Sequence, residues 1–292
     1  MSIDTVDNTK ALVDQALASV GELATLPEVT IKIIELVEDH NSTARDLHAV
    51  IKNDPALSVK VLKVVNSAFY GLPGQVASVD RAIILLGLSA VKNISIAASI
   101  ARLFKGKRLS EQFSAADLWR HSVAVAVAAR AIAKYSPHPV MTDEVFVAGL
   151  IHDIGMLIER QVFCDEFTQV VDECTGAEIN FMECERRIIG ADHQAFGVGL
   201  TTKWKFPRHL RAAVGFHHNP EALSMELRNI ATLLQMADVL CCQEKLGFYL
   251  TAQHDAITQE MMDTLGVTEE NLAELRASLP DLLAEAESTL SN

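Results

Sequence analysis

The feature that most narrows the fold is the spacing of apolar residues, which recur every three or four positions almost from end to end. The segment "TKALVDQALASVGELATL" opens the pattern, and "LPEVTIKIIELVEDH" continues it with Val29, Ile31, Ile33, Ile34 and Val37. A stripe of that kind lines one face of an α-helix and must bury against a neighbour. No segment shows the alternation of period two that a half-buried strand needs. The chain is therefore expected to be all-α. Ala, Leu, Val and Ile dominate and only 5% of the 292 residues are aromatic, a mixture suited to helices packed on helices.

Punctuation supports the same reading. Thr43 with Asp46 three residues on has the form of a capping box. Asp54 is placed to cap a helix with Pro55 at its first position. Gly71, Pro73 and Gly74 break the chain, and Gly87 marks a turn inside "SVDRAIILLGLSAVKNISIAASIARLF". Polarity rises over "FKGKRLSEQF", residues 104–113, where a domain boundary is expected. "AADLWRHSVAVAVAARAIAKY" is a helix ended by Pro137 and Pro139, and "TDEVFVAGLIHDIGMLI" reads as one apolar helix with Thr142 as its N-cap. Further helices are expected over 160–175, 178–190, 192–204, 207–218 and 226–246. From residue 258 an acidic tail forms amphipathic helices that dock through Leu265, Leu272, Leu275, Leu279 and Leu283.

Charge excludes some partners. The net charge of −13 argues against a nucleic acid or an anionic membrane as ligand of the whole molecule. The one local basic run, Lys203, Lys205, Arg208 and Arg211, reads as a solvated helix end. The five cysteines include no CxxC pair, which points to free thiols in a reducing cytoplasm. The N-terminus has no signal-peptide pattern, and no apolar stretch of about 18 residues is free of charge, so no membrane span is expected.

Within this apolar chain, "GLIHDIGML" sets His152 beside Asp153. Burying such groups is costly unless a metal, a counter-ion or water meets them. Around the pair stand His121, His193, His217, His218 and Asp238, each in a separate helical segment apart from the adjacent pairs. Imidazole and carboxylate together suit divalent transition metals such as iron, manganese, nickel or zinc. An aspartate next to a histidine can bridge two ions, as in two-metal hydrolases. Gly149 and Gly155, and the Ala-rich run after His121, would let helices close tightly around a small site. Asp117, one turn before His121, fits a capping box with Ser114 better than a ligand role.

The order H…HD…H…HH…D resembles the HD superfamily of metal-dependent phosphohydrolases, and His193 with His217–His218 is similar to its HD-GYP branch. The first half, through "LPEVTIKIIELVED", "NDPALSVKVLKVVNSAFYG" and "SVDRAIILLGLSAVKNI", strongly resembles the HDOD family. The resemblance covers about residues 20 to 250. It implies an N-terminal HDOD helical bundle packed on an HD-like bundle: an extension 1–22, an HDOD subdomain 23–108, an HD-like metal-binding subdomain 109–255 and an acidic helical tail 256–292. It also implies bacterial signalling, with other signalling proteins as partners. By matching motifs, His121, His152, Asp153, His193, His217, His218 and Asp238 fall on positions that ligate one or two metal ions in active HD-type proteins.

Two departures bear on function. Active HD-GYP proteins carry a lysine after HDIG, where this chain has Met156, and "HHNPEALSMEL" replaces the GYP loop. The expected function is regulatory, with metal as a structural or sensory element. The alternative is a phosphohydrolase acting on a nucleotide or other phosphate ester. Its nucleophile would be a metal-bound hydroxide held by His152, Asp153 and Asp238, with Arg120, Lys203, Lys205 or Arg208 as phosphate holders. An oxygenase using paired iron ranks last.

Overall fold

The computed structural model describes residues 3–21, 26–39, 41–67, 70–104, 109–137 and 142–290. Among them every regular element is a helix and no strand forms. Residues 105–108, part of the expected boundary, and Pro139 lie outside the described residues.

The first half begins with α1 (Ile3–Ser19), which packs against two helices of the second half, Gly155–Val162 and His193–Lys203. It continues as a bundle of α2 (Glu28–Glu38), α3 (Ala44–Ile51), α4 (Pro55–Val65), α5 (Val79–Leu86) and α6 (Leu88–Ile100). Short polar side chains set several of the starts, because they satisfy backbone N–H groups that have no partner inside the helix. The Thr43–Asp46 capping box is present, and Asp54 accepts from the Leu57 N–H with Pro55 following it. Gly87, at φ 89°, makes the turn between α5 and α6. Ile33, Ile34, Leu47, Ile51, Val61 and Val91 meet in the interior.

The second half is built on α7 (Ala115–Ala133) and α8 (Thr142–Ile151), which are buried nearly all round. Such helices belong at the centre of a fold, since an apolar surface on every side must be covered on every side. Alanines make the contact close: a Cβ on Gly149 would lie 2.5 Å from the Ala126 Cα. Around this pair lie α9 (Gly155–Val162), α10 (Cys164–Cys174), α11 (Phe181–Ile188), α12 (His193–Lys203), α13 (Arg208–Phe216) and α14 (Met225–Gln243). The expected single helix through the His-Asp pair is instead two. α8 ends at Ile151, a turn holds residues 152–154, and α9 begins at Gly155. Close packing against α12 accounts for the break, because a Cβ on Gly155 would strike the His193 carbonyl and sit 2.7 Å from the Gly197 nitrogen. Thr142 is the first helical residue of α8 and not its cap, and the expected helix 160–175 is divided at Phe163.

The tail forms α15 (Gln259–Leu265) and α16 (Glu269–Leu290), and α16 packs along α7. Leu265, Leu272, Leu275, Leu279 and Leu283 are all buried. One contiguous apolar core runs through both halves and the tail. Polar contacts join the halves as well: the Arg130 guanidinium of α7 stands 4.8 Å from the Tyr70 ring and 3.8 Å from Asp143. No helix among the described residues is long and apolar enough to cross a membrane.

Candidate metal centre

Five elements bring the seven predicted side chains to one place. His121 comes from the middle of α7 and Asp238 from the middle of α14. His152 and Asp153 occupy the turn between α8 and α9, where irregular backbone lets two neighbouring side chains face one centre. His193 is the first residue of α12, whose Asp192 cap accepts from the Ala195 N–H and is held by Arg186 at 2.7 Å. His217 and His218 follow the end of α13.

Four imidazoles are oriented alike. Three direct Nδ1 at a backbone carbonyl, which can only accept a hydrogen bond, so there Nδ1 carries the proton, and the fourth directs Nδ1 at a carboxyl group. The acceptors are the carbonyls of Leu246 for His121 (3.2 Å), Gly149 for His152 (2.8 Å) and Val214 for His217 (2.9 Å). For His193 the partner is the Glu185 carboxyl, at 2.8 Å. Every Nε2 therefore turns inward, to the two aspartates.

Asp153 divides the centre. Its Oδ1 lies 3.4 Å from His193 Nε2 and 3.5 Å from His217 Nε2. Its Oδ2 lies 3.1 Å from His152 Nε2 and 3.7 Å from His121 Nε2. Asp238 Oδ1 is 3.0 Å from His121 Nε2, and its Oδ2 is 3.9 Å from His218 Nδ1. Burial pushes both carboxyls up, yet the surrounding imidazoles more than offset it and hold both below the usual carboxylate range. Burial drives His217 below the ordinary histidine range and His218 well below it, so both offer lone pairs at neutral pH. His152 is held above that range despite its burial, because it faces Asp153.

The arrangement suits a cation. Both oxygens of Asp153, Asp238 Oδ2, His152 Nε2 and both ring nitrogens of His218 are buried without an aligned hydrogen bond. Leaving such atoms unmet costs about 1–3 kcal/mol each. His193 Nε2 and His217 Nε2 face one another at 3.4 Å. A proton could serve one of them at most, whereas a metal ion serves both together with Asp153 Oδ1. An ion about 2.1 Å from three donors at tetrahedral angles needs them roughly 3.4 Å apart, which matches this triangle. Asp153, His193, His217 and His218 thus form one set of donors, all within 4.8 Å of one another, and His121, His152 and Asp153 form another.

The sequence of this chain matches the HDOD domain profile over residues 23–220. The chain belongs to the HDOD family. It is similar to an HDOD domain protein of unknown function from Geobacter sulfurreducens, with 26% identity, a TM-score of 0.81, and coverage of 97% of this chain and 99% of that one. A structure described as a proposed signal transduction protein, from Marinobacter aquaeolei VT8, shares the fold at 24% identity and TM-score 0.78, over 97% of this chain and 66% of that one. So does a proposed phosphohydrolase from Shewanella amazonensis SB2B, at 23% identity and TM-score 0.73, over 96% and 98%. An uncharacterised protein of Treponema pallidum (strain Nichols) is 20% identical over 238 residues, 82% of this chain, and the match spans 46% of that relative's length.

The HDOD chain surrounds its centre with groups that spacing alone did not reveal. Glu185 of α11 holds His193, and Glu159 of α9 lies buried beside it. Burial, reinforced by the neighbouring Glu185, pushes Glu159 well above the ordinary carboxyl range. Burial, reinforced by Asp192, does the same to Glu185. Cys242 sits one turn beyond Asp238 on α14, with Sγ 3.3 Å from Asp238 Oδ1. Both glutamates belong to separate segments that only the fold unites with their partners. The Asp238–Cys242 spacing of four was the one signal available.

Other predicted groups are engaged elsewhere. Asp117 accepts from the Ser114 N–H and hydroxyl in a complete capping box. Arg120 faces Glu287 at 3.8 Å, Lys203 donates to the Leu17 carbonyl, and Lys205 pairs with Glu35 at 3.0 Å. Met156, where active HD-GYP proteins have lysine, is fully buried in α9.

Proposed function

We propose that this HDOD protein is a bacterial signalling protein whose HD-like half holds one or two divalent transition-metal ions as a structural or sensory element. Its output is binding to other signalling proteins. The observation that supports this reading is the burial of the whole donor set. His121, His152, Asp153, His193, His217 and Asp238 are 0% exposed, and the His218 side chain is 1% exposed. Donors without exposed surface suit an ion that is retained, whereas a catalytic ion keeps a position open to substrate. Two cavities, of about 890 Å³ between the start of α2 and the C-terminal end of α6 and about 430 Å³ beside residues 250–255, are lined by other residues.

A second reading, hydrolysis of a nucleotide or other phosphate ester, draws on Asp153, whose two oxygens address two groups of histidines. A bound metal pair would supply Lewis acidity and lower the pKa of a water. Asp153, His193 and His217 would hold one ion, and Asp153, His121, His152 and Asp238 the other. Glu185 orients His193, and the apolar walls of α7 and α8 exclude bulk water.

The deciding experiment measures metal content in protein purified without chelator, beside a His152→Ala/Asp153→Ala double variant. One or two ions per chain, lost in the variant, are expected. No metal in either protein overturns the metal reading. Turnover of a phosphate-ester panel by the loaded protein, abolished in the variant, replaces the signalling reading with the hydrolytic one.

A further inference from the structure

Cys242 is the one thiol placed among the donors. α14 puts it four residues after Asp238, on the same helical face. It is 1% exposed. Its Sγ lies 3.3 Å from Asp238 Oδ1 and 3.4 Å from Thr251 Oγ1. The same Asp238 oxygen is 3.0 Å from His121 Nε2, the ring nitrogen opposite the Nδ1 bond to Leu246. The donor atoms of His121, Asp238 and Cys242 all lie within 4.8 Å of one another. An ion placed between α7 and α14 thus meets nitrogen, oxygen and sulfur at once.

We infer that Cys242 is a thiolate ligand of the ion on the His121–Asp238 side of the centre, which makes that side selective for thiophilic divalent metals over manganese or magnesium. The inference rests on the reading that the cluster holds metal. It separates the two sides chemically. The His193–His217–Asp153 side offers nitrogen and oxygen, which many first-row ions accept, while sulfur favours zinc, cobalt or ferrous iron. As the metal–sulfur bond forms, the thiol proton leaves to solvent and the electron pair stays on sulfur. The Thr251 hydroxyl, 3.4 Å away, is then placed to donate to the thiolate and fix its direction. Without the ion, Cys242 donates its S–H to Asp238, so the same geometry has a metal-free resting form.

The test is a Co²⁺ titration of metal-free, full-length protein followed by absorption. A near-ultraviolet thiolate-to-cobalt charge-transfer band is expected, together with the visible bands of bound Co²⁺. Cys242→Ser should keep the visible bands from the other side and lose the near-ultraviolet band. Cys164→Ser, which removes the exposed cysteine, should change neither. Zn²⁺ affinity of the Cys242→Ser protein should fall roughly 10–100-fold, with a smaller change for Mn²⁺. Visible bands without the near-ultraviolet band in the unaltered protein would overturn the inference and leave the metal centre standing. Absence of any Co²⁺ binding would overturn both. Should Cys242→Ser fail to fold, zinc X-ray absorption on the unaltered protein still decides. One sulfur at about 2.3 Å supports the assignment and only lighter donors refute it.

Discussion

Glu159 shows how much chemistry a single side chain can hide behind the ligands. It is buried against Glu185, and the loss of hydration there, reinforced by that second acid, outweighs the nearby His193 imidazole. Its carboxyl therefore keeps its proton in the fold well above the 4.5 of the unfolded chain. As the pH rises past that value, the unfolded chain releases the proton and the folded chain retains it. The folded state then binds more protons, and this group's contribution to stability falls with rising pH. Glu159→Gln removes the titration while keeping size and hydrogen-bonding capacity. Thermal melts of the metal-free proteins should show the variant losing less stability than the parent between about pH 5 and pH 8. Equal losses would mean that Glu159 is ionised in the fold. The sequence offered no hint of this pair: Glu159 reads as one more polar residue of an amphipathic stretch, and its partner is 26 positions away in another helix. The histidines were legible for the opposite reason, because buried imidazoles in an apolar chain demand an explanation before any fold is known.

At the scale of the helix, the acidic tail tests what periodicity can tell. The leucines of α16 recur at three and four positions, and all that were expected to dock are buried against the body. Leu279, 1% exposed, is the natural probe. Leu279→Ala should cost about 2–5 kcal/mol, seen as a lower urea midpoint with an unchanged slope. A cost below about 0.5 kcal/mol would show that the tail packs loosely. Where periodicity failed, it failed at the break between α8 and α9. From Val145 to Ile158 only His152 and Asp153 interrupt the apolar run, and a polar pair does not by itself distinguish a turn at residues 152–154 from one continuous helix. The turn is imposed from outside, by α12 pressing its backbone onto Gly155, and that contact is tertiary information. The same break lets His152 and Asp153 point at one centre, a convergence that neighbours on a regular helix, about 100° apart, cannot easily make.

For the whole molecule, metal and stability should be one measurement. A ligand that binds the native state alone adds about 2.7 kcal/mol at a free concentration 100 times its Kd. For a chain of this size that corresponds to a rise in Tm of roughly 4–5 °C per site. Protein stripped with a chelator should melt lower by this amount, and Zn²⁺ or Fe²⁺ should restore it. A Tm indifferent to metal would contradict an ion held among native side chains. The polarity change over residues 104–113 suggested a boundary, but it gave no sign of the shared core, since nothing in either half announces which of its faces meets the other. The enclosure of the centre carries a kinetic corollary. Its donors span 117 positions of chain between His121 and Asp238, and their side chains are at most 1% exposed. An ion inside can leave only when α7, α14 or the α8–α9 turn gives way. The exchange of a bound isotope is then a clock for the opening of the helical shell, and a partner that clasps or loosens that shell would be read out as a change in its rate.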